Sequence, residues 1–323
     1  MGAIRSVVAL LLLFFMSTLH AGDSNKFLDE AKAYLKQGKI EAAVIQLKNS
    51  LQQDPSNVDA RLLLGKLYLR AGDGASAEKE IERAVRLNAS KELWQLELGQ
   101  AYLLQQKFDE ILKKIEPDPT LSGSIQAGVY NLRGQAYLAT GSLADARTSY
   151  QQALSSQAEN ETAQLGMARV TIASGDHEEG GRMLDAFLEK YPDNLEGRIL
   201  RGEILKQQNQ LDKALADYDH VLHKKPEELR GLLGRTVVYL QQSNYDAAAT
   251  DLEVLNRIAP ESPMVIYLNG VSAFQQKKTK EAEEYIRQVL NLIPNHPQSQ
   301  LIYGAILFGN GEYLQAEEYL ARA

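Results

Sequence analysis

The chain contains no cysteine and little aromatic character. None of its 323 residues is cysteine, which excludes disulfides, thiolate metal sites and a cysteine nucleophile. Aromatic residues make up 7% of the chain, and Trp94 is the one tryptophan. An excess of positive charge is also missing: the formal net charge is -7, so general binding to nucleic acid or to an anionic membrane surface is not expected.

Long hydrophobic runs are absent after the amino terminus. The run VVALLLLFFM, residues 7–16, follows Arg5 and precedes Ala21, a small residue that suits a cleavage site. This layout predicts a secretory signal peptide over residues 1–21, with an uncleaved anchor as the alternative. The protein is therefore expected to be exported, and no membrane span is expected in the mature chain.

A pattern with a period of 34 residues runs through the rest of the chain. The stretch ARLLLGKLYLRAGDGASAEKEIERAV, residues 60–85, shows one copy of it. A small residue recurs at the position of Gly65 and, in most copies, an aromatic residue recurs at the position of Tyr68. Proline closes four successive units at positions one period apart, which are Pro192, Pro226, Pro260 and Pro294.

Each copy of the pattern predicts two amphipathic helices joined by a turn, as in Arg61 to Arg70 and Ser76 to Leu87. The turns are rich in Gly, Asn and Asp. The small residues are predicted where the helices cross, because a larger side chain would push the two backbones apart. One hairpin cannot bury its own apolar face, so neighbouring hairpins must stack into an all-α array.

The pattern resembles the tetratricopeptide repeat (TPR), and the resemblance implies a solenoid of helical hairpins that forms a right-handed superhelix. Residues 24–323 are interpreted as nine units, of which the third is irregular at 116–124 around Pro117 and Pro119 and carries one inserted residue. The last unit is expected to be truncated. The predicted units are 24–57, 58–91, 92–126, 127–160, 161–194, 195–228, 229–262, 263–296 and 297–323.

In this family the first helix of each unit lines an inner groove, so the resemblance implies binding residues there. Near the amino terminus the implied positions carry Lys32, Lys36, Lys66 and Arg70. They form a basic cluster that suits an acidic peptide or an acidic polysaccharide. The alternative is that these side chains only keep their helices soluble.

Further along the chain the implied groove positions are apolar or aromatic. They include Leu103 in the third unit, Tyr267 and Phe274 in the eighth, and Phe308 in the ninth. Such a groove would accept a helix or an extended peptide. Plain packing between neighbouring first helices is the alternative.

No set of residues in the sequence predicts catalysis. There is no phosphate-binding loop and no serine in the context of a nucleophile, so neither an enzyme nor a cofactor is expected. Asp219, His220 and His223 lie within one helical stretch and could present a metal-binding face. Two solvated histidines near a helix end are the simpler interpretation, so no metal is predicted.

A narrower resemblance rests on the order of the units. Residues 30–85, the stretch LLQQKFDEILKKI and residues 267–323 are similar to the TPR proteins of the exosortase/PEP-CTERM system, which are exported by Gram-negative bacteria and encoded beside exopolysaccharide genes. The resemblance implies a non-catalytic scaffold in the periplasm or envelope, with protein or peptide partners there. It links the chain to exopolysaccharide production or surface-protein sorting. Many of those relatives resemble lipoproteins, whereas Gly22 here stands where their lipidated cysteine would be.

The sequence leaves one alternative function open. A carbohydrate-binding or export-gating solenoid would hold an anionic polysaccharide in the basic amino-terminal groove. Salt dependence distinguishes the two functions, because binding by Lys and Arg weakens with ionic strength whereas binding in an apolar groove does not.

Overall fold

The computed structural model describes residues 23–323, and the predicted signal peptide lies outside the described residues. Residues 23–323 form eighteen helices and no strand, which confirms the all-α prediction. The helices are α1 (residues 23–36), α2 (Ile40–Gln53), α3 (Val58–Arg70), α4 (Gly74–Arg86), α5 (Lys91–Leu104), α6 (Phe108–Lys114), α7 (Gly123–Ala139), α8 (Leu143–Ser156), α9 (Glu161–Ala173), α10 (His177–Lys190), α11 (Leu195–Gln207), α12 (Leu211–Lys224), α13 (Leu229–Gln241), α14 (Tyr245–Ile258), α15 (Pro263–Gln275), α16 (Thr279–Leu292), α17 (Pro297–Gly309) and α18 (Tyr313–Arg322).

The described residues divide into two compact units, 23–174 and Gly175–Ala323, which we call the amino-terminal and carboxy-terminal units. In the amino-terminal unit each helix packs on the next along the chain, most extensively in the pairs α3–α4 and α7–α8. The carboxy-terminal unit does the same, most extensively in α11–α12 and α15–α16. Odd-numbered helices also contact the next odd-numbered helix, as in α3–α5 and α11–α13. Each unit therefore has the nearest-neighbour packing of a solenoid.

A residue with positive φ stands in the turn after every odd-numbered helix, at the second position beyond the helix end. This backbone conformation favours glycine, which occupies five of the nine positions. Successive positions are one period apart, except that the step from Gln106 to Gly141 is longer by a single position and spans the segment predicted to be irregular. The nine positions are Gly38, Gly72, Gln106, Gly141, Gly175, Asn209, Ser243, Lys277 and Gly311.

Buried tyrosines fill the space that glycines leave between helices. In the amino-terminal unit a Cβ atom on Gly134 would lie 2.7 Å from the ring of Tyr150, and one on Gly166 would lie 2.4 Å from it. In the carboxy-terminal unit Gly202 and Gly234 flank Tyr218 in the same way, at 2.8 and 2.4 Å. Any larger residue would force these helices apart, which agrees with the interpretation of the recurring small residues.

The third hairpin departs from the others. Its second helix, α6, has only seven residues, and residues 115–122 are not helical. Arg133 on α7 compensates for the short helix, because its Nη1 donates to the carbonyl oxygens of Leu112 at 2.8 Å and Ile115 at 3.2 Å. These carbonyls lack partners in their own helix, so Arg133 caps the end of α6.

Candidate functional site

The predicted basic cluster lies on α1 and α3 of the amino-terminal unit. Lys32 Nζ is 3.6 Å from Asp29 Oδ1, and Lys66 Nζ is 3.0 Å from Glu97 Oε1 on α5. Lys36 and Arg70 are exposed. Two of the four predicted cations are thus offset by neighbouring carboxylates, which lowers the positive charge that this face presents.

Leu103, the predicted groove residue of the third unit, is only half-buried. It packs against the core cluster that contains Tyr102 and Ile111. Its neighbour on α5, Leu104, is 43% exposed. Leu103 therefore serves mainly the core of the amino-terminal unit, and the structure shows no separate binding role for it.

The predicted apolar residues of the eighth and ninth units lie on α15 and α17, which contact each other in the carboxy-terminal unit. Phe274 is 36% exposed and Phe308 is 61% exposed. Because they are one period apart, they occupy the same position of the repeat and the same helix face. Two further exposed side chains, Met264 and Leu301, lie on these helices, and we call Met264, Phe274, Leu301 and Phe308 the apolar surface.

Tyr267 is not part of the exposed patch. Its ring is half-buried and packs edge-on against the ring of His296, with 5.0 Å between the ring centroids. Burial raises the pKa of the Tyr267 phenol above its ordinary value. The contact with His296, at the start of α17, instead holds α15 and α17 together.

A network of ion pairs around two buried carboxylates, Asp217 and Asp251, in the carboxy-terminal unit was not anticipated from the sequence. Arg201 Nε and Nη2 donate to both carboxylate oxygens of Asp217, at 2.7 Å each, and Arg201 Nη1 donates to Asp185 at 3.0 Å. The same triad recurs one period later, where Arg235 donates to Asp251 and Asp219. Hydrogen bonds to Asp217 raise the pKa of the Arg201 guanidinium, so it stays charged. The sequence did contain a signal for this network, because each of its three charged residues recurs one period later.

Two side chains of the possible metal-binding face contact other partners instead. The carboxylate of Asp219 lies 2.7 Å from Arg235 Nη1, and His220 Nε2 lies 3.1 Å from Asp193 Oδ1. Across residues 23–323, no three His, Asp or Glu side chains converge on a point where a metal ion could bind.

Two grooves occupy equivalent places in the repeat, one in each compact unit. The first, of about 630 Å³, lies between α2 and α4 with α3 at its base, and we call it the amino-terminal groove. The second, of about 520 Å³, lies between α10 and α12 with α11 at its base, and we call it the carboxy-terminal groove. Arg61 lines the first, and Arg198 lines the second at the same position of the repeat, four periods later once the inserted position is counted.

The basic residues of the amino-terminal groove were not among the predicted site residues. They lie on second helices and at the base of the groove, whereas the family resemblance directed attention to the exposed face of the first helices. Lysine and arginine spaced along separate helices give no local signal in the sequence. The basic residues that line this groove are Lys48, Arg61, Lys79 and Arg83.

Within residues 23–323, no helix is both long enough and apolar enough to cross a bilayer.

Three family models match the chain. One described as a tetratricopeptide repeat-like domain matches residues 18–165. A second, described as a tetratricopeptide repeat, matches residues 137–204, and a third with the same description matches residues 199–263 and 267–323. No curated protein sequence matches the chain.

Solved structures of similar fold come from diverse proteins. PilW, described as a widely conserved type IV pilus biogenesis factor, aligns with a TM-score of 0.54 and 18% identity over 61% of this chain and 91% of PilW. The Cut9–Hcn1 hetero-tetramer of the APC/C aligns with a TM-score of 0.54 and 15% identity over 95% of this chain and 67% of the matched chain. MamA from Desulfovibrio magneticus RS-1 aligns with a TM-score of 0.45 and 18% identity over 51% of this chain and 93% of MamA. At these identities the first two similarities establish the helical-repeat fold and do not indicate a partner.

Proposed function

The chain is built of tetratricopeptide repeats, and on that premise we propose that it is a non-catalytic exported scaffold that binds a protein or peptide partner of the cell envelope. The observation that carries the proposal is the apolar surface on α15 and α17. Burial of apolar surface stabilises a complex by about 25 cal/mol per Å² removed from water, so exposed apolar side chains on two neighbouring helices favour a partner that covers them.

The position of the apolar surface supports a peptide as its ligand. Phe274 and Phe308 occupy the same position of the repeat on two neighbouring helices, α15 and α17. The line from one residue to the other therefore runs along the direction in which the repeats stack. A helix or an extended segment with apolar side chains at intervals would contact both rings. Recognition would then depend on apolar burial and change little with salt.

The finer assignment comes from the sequence resemblance. We propose that the partner belongs to exopolysaccharide production or surface-protein sorting, because residues 30–85 and 267–323 resemble the TPR proteins of the exosortase/PEP-CTERM system. The signal-peptide pattern of residues 1–21 supports export to the periplasm or envelope.

The alternative function, a solenoid that holds an anionic polysaccharide at Lys32, Lys36, Lys66 and Arg70, has less support. Lys32 and Lys66 each have a carboxylate within ion-pair distance, and a polyanion would have to displace Asp29 and Glu97. We therefore keep this alternative as an outcome of the experiment that follows.

The experiment is a capture from envelope extract with residues 22–323 as bait. We expect a discrete protein that is captured by the unmodified bait and lost with Phe274→Ala/Phe308→Ala. The matched control is Ile45→Ala/Leu292→Ala, which removes two apolar side chains of similar exposure (58% and 56%) from second helices. Capture that survives the phenylalanine substitutions, or is lost equally with the control, contradicts the proposal. Recovery of acidic polysaccharide that is lost with Lys32→Glu/Lys66→Glu would establish the alternative instead.

A further inference from the structure

We propose that the amino-terminal groove, between α2 and α4, is a second binding site, which takes an acidic peptide segment with apolar side chains among its carboxylates. It is separate from the apolar surface, and the inference does not depend on the function proposed for that surface. Lys48 on α2 and Lys79 on α4 line opposite sides of the groove, and Arg83 lies one helical turn beyond Lys79.

The charge of the groove is not neutralised from within. Glu80 is the one carboxylate among the residues that line it, and both of its oxygens are occupied. Arg61 Nη1 donates to Glu80 Oε2 at 2.5 Å, and Arg83 Nη1 donates to Glu80 Oε1 at 3.0 Å. Among the residues that the structure describes, neither Lys48 nor Lys79 has an ion-pair partner, and both side chains are exposed. The groove therefore keeps a net positive charge in a protein of net charge -7.

The equivalent groove of the carboxy-terminal unit is closer to charge balance, because its lining has three carboxylates, Glu178, Asp185 and Asp217, against four cationic side chains. When the two grooves are aligned on Arg61 and Arg198, Asp185 takes the position of Lys48, and Ala216 takes that of Lys79. There Asp185 binds Arg201, whose remaining donors bind Asp217. The charged side chain at the Lys48 position is thus paired within the carboxy-terminal groove, whereas Lys48 itself has no ion-pair partner among the described residues.

The apolar part of the lining favours a peptide over a polysaccharide. Half-buried Leu51 and Tyr68 line the same groove as the two lysines. A peptide can match both features, because carboxylates can meet Lys48 and Lys79 while apolar side chains cover Leu51 and Tyr68. A uronic-acid polymer supplies the carboxylates but has no apolar side chains.

The test measures the binding of a fluorescein-labelled peptide of repeated Glu-Glu-Leu-Ala to the purified full chain by fluorescence anisotropy. We expect binding at low salt that weakens as salt is added, because screening reduces the attraction between carboxylates and lysines. The reversal Lys48→Glu/Lys79→Glu should weaken binding by about tenfold or more, because it removes two ion pairs and places negative charge opposite the carboxylates of the peptide. Lys48→Gln/Lys79→Gln should weaken binding by less, because it removes the ion pairs without adding repulsion. The matched control, Arg182→Glu/Lys213→Glu, makes the same change of charge in the carboxy-terminal groove and should leave the affinity unchanged.

Several outcomes would overturn the inference. These are no binding to the unmodified chain at low salt, equal weakening by the two reversals, and equal binding of a Gln-Gln-Leu-Ala peptide. Binding of polygalacturonate but not of the peptide would reassign the groove to a sugar polymer. Thermal melts of all variants by circular dichroism separate loss of binding from loss of fold.

Discussion

The two grooves are alike at the base and different at the rim. At the base, Arg61 and Arg198 each donate from Nε to the carbonyl of a proline six positions earlier, at 2.9 and 2.8 Å. Each also binds a buried carboxylate nineteen positions later, Glu80 at 2.5 Å and Asp217 at 2.8 Å. At the rim the first groove carries Lys48 where the second carries Asp185.

The comparison separates contacts that the two hairpins share from charges that differ between them. In both hairpins the base pairs join the preceding turn to both helices, so they satisfy buried polar groups there. The rim positions are solvated, and their charges have little effect on the stability of the hairpin. A repeat can therefore exchange lysine for aspartate at the rim without changing its fold.

The largest expected effect is at the shared base. Asp217 is 1% exposed and binds both Arg198 and Arg201, so Asp217→Ala leaves Arg198 without a carboxylate and Arg201 with Asp185 alone. We expect a loss of about 3–5 kcal/mol in the free energy of unfolding of α11 and α12, because removing one partner of a buried pair leaves uncompensated charge. Urea unfolding and hydrogen exchange of these helices measure it.

Glu80→Ala is the corresponding change in the amino-terminal groove. It should cost less, because Glu80 accepts two hydrogen bonds from arginines whereas Asp217 accepts three, and the Arg83 side chain is 42% exposed. Equal losses in the free energy of unfolding would contradict the prediction that the pairs of Asp217 stabilise their hairpin more than those of Glu80 do.

The second prediction concerns the turns of the two hairpins. Gly72 follows α3 with φ of 76°, and Asn209 follows α11 with φ of 59° at the equivalent position. A Cβ atom at Gly72 would meet nothing within 4 Å, so Gly72→Ala costs only the left-handed backbone, about 1–2 kcal/mol. Asn209→Gly should instead raise stability, by less than about 1 kcal/mol, because asparagine already tolerates this conformation. Thermal melts that shift in the same direction would contradict the prediction.

The smallest expected effect is at the rim, in a reciprocal exchange. Asp185→Lys removes the ion pair with Arg201, and since the Asp185 side chain is 65% exposed we expect a loss of about 0.2–1 kcal/mol. Lys48→Asp should change stability by less than about 0.5 kcal/mol, because Lys48 has no ion-pair partner among the described residues. The same Lys48→Asp variant should bind the acidic peptide more weakly. A stability loss for Lys48→Asp as large as that for Asp185→Lys would mean that the rim lysine is structural.

The helices and turns could be predicted because their signals are local and repeated. Apolar spacing indicates each helix, and glycine or asparagine marks most of the left-handed turns. The positions of Gln106, Ser243 and Lys277 carry no such signal, and they adopt the same turn because the flanking helices pack on each other. The short helix α6 could also be anticipated, since Pro117 and Pro119 cannot continue it.

The candidate binding residues were harder to predict than the helices. Phe274 and Phe308 were found because the family resemblance points to the first helices, and both are exposed. Lys48 and Lys79 were missed because they lie on separate helices, far apart in the sequence, and line the same groove only when α2 and α4 flank α3. Whether a lysine is free to bind a ligand also depends on carboxylates nearby in the fold, as the contact of Lys66 with Glu97 shows.

The sequence alone determined the period, the helical hairpin and the class of fold, because each depends on residues within one or two turns of helix or on a pattern that repeats. Only the tertiary structure decided what each charged side chain binds. Arg133 and Arg201 occupy the same position of the repeat, two periods apart. Arg133 caps the carbonyls of the short helix α6, whereas Arg201 binds Asp217 and Asp185. A guanidinium takes the acceptors that packing brings within about 3 Å, and those acceptors lie on other helices, distant in the sequence.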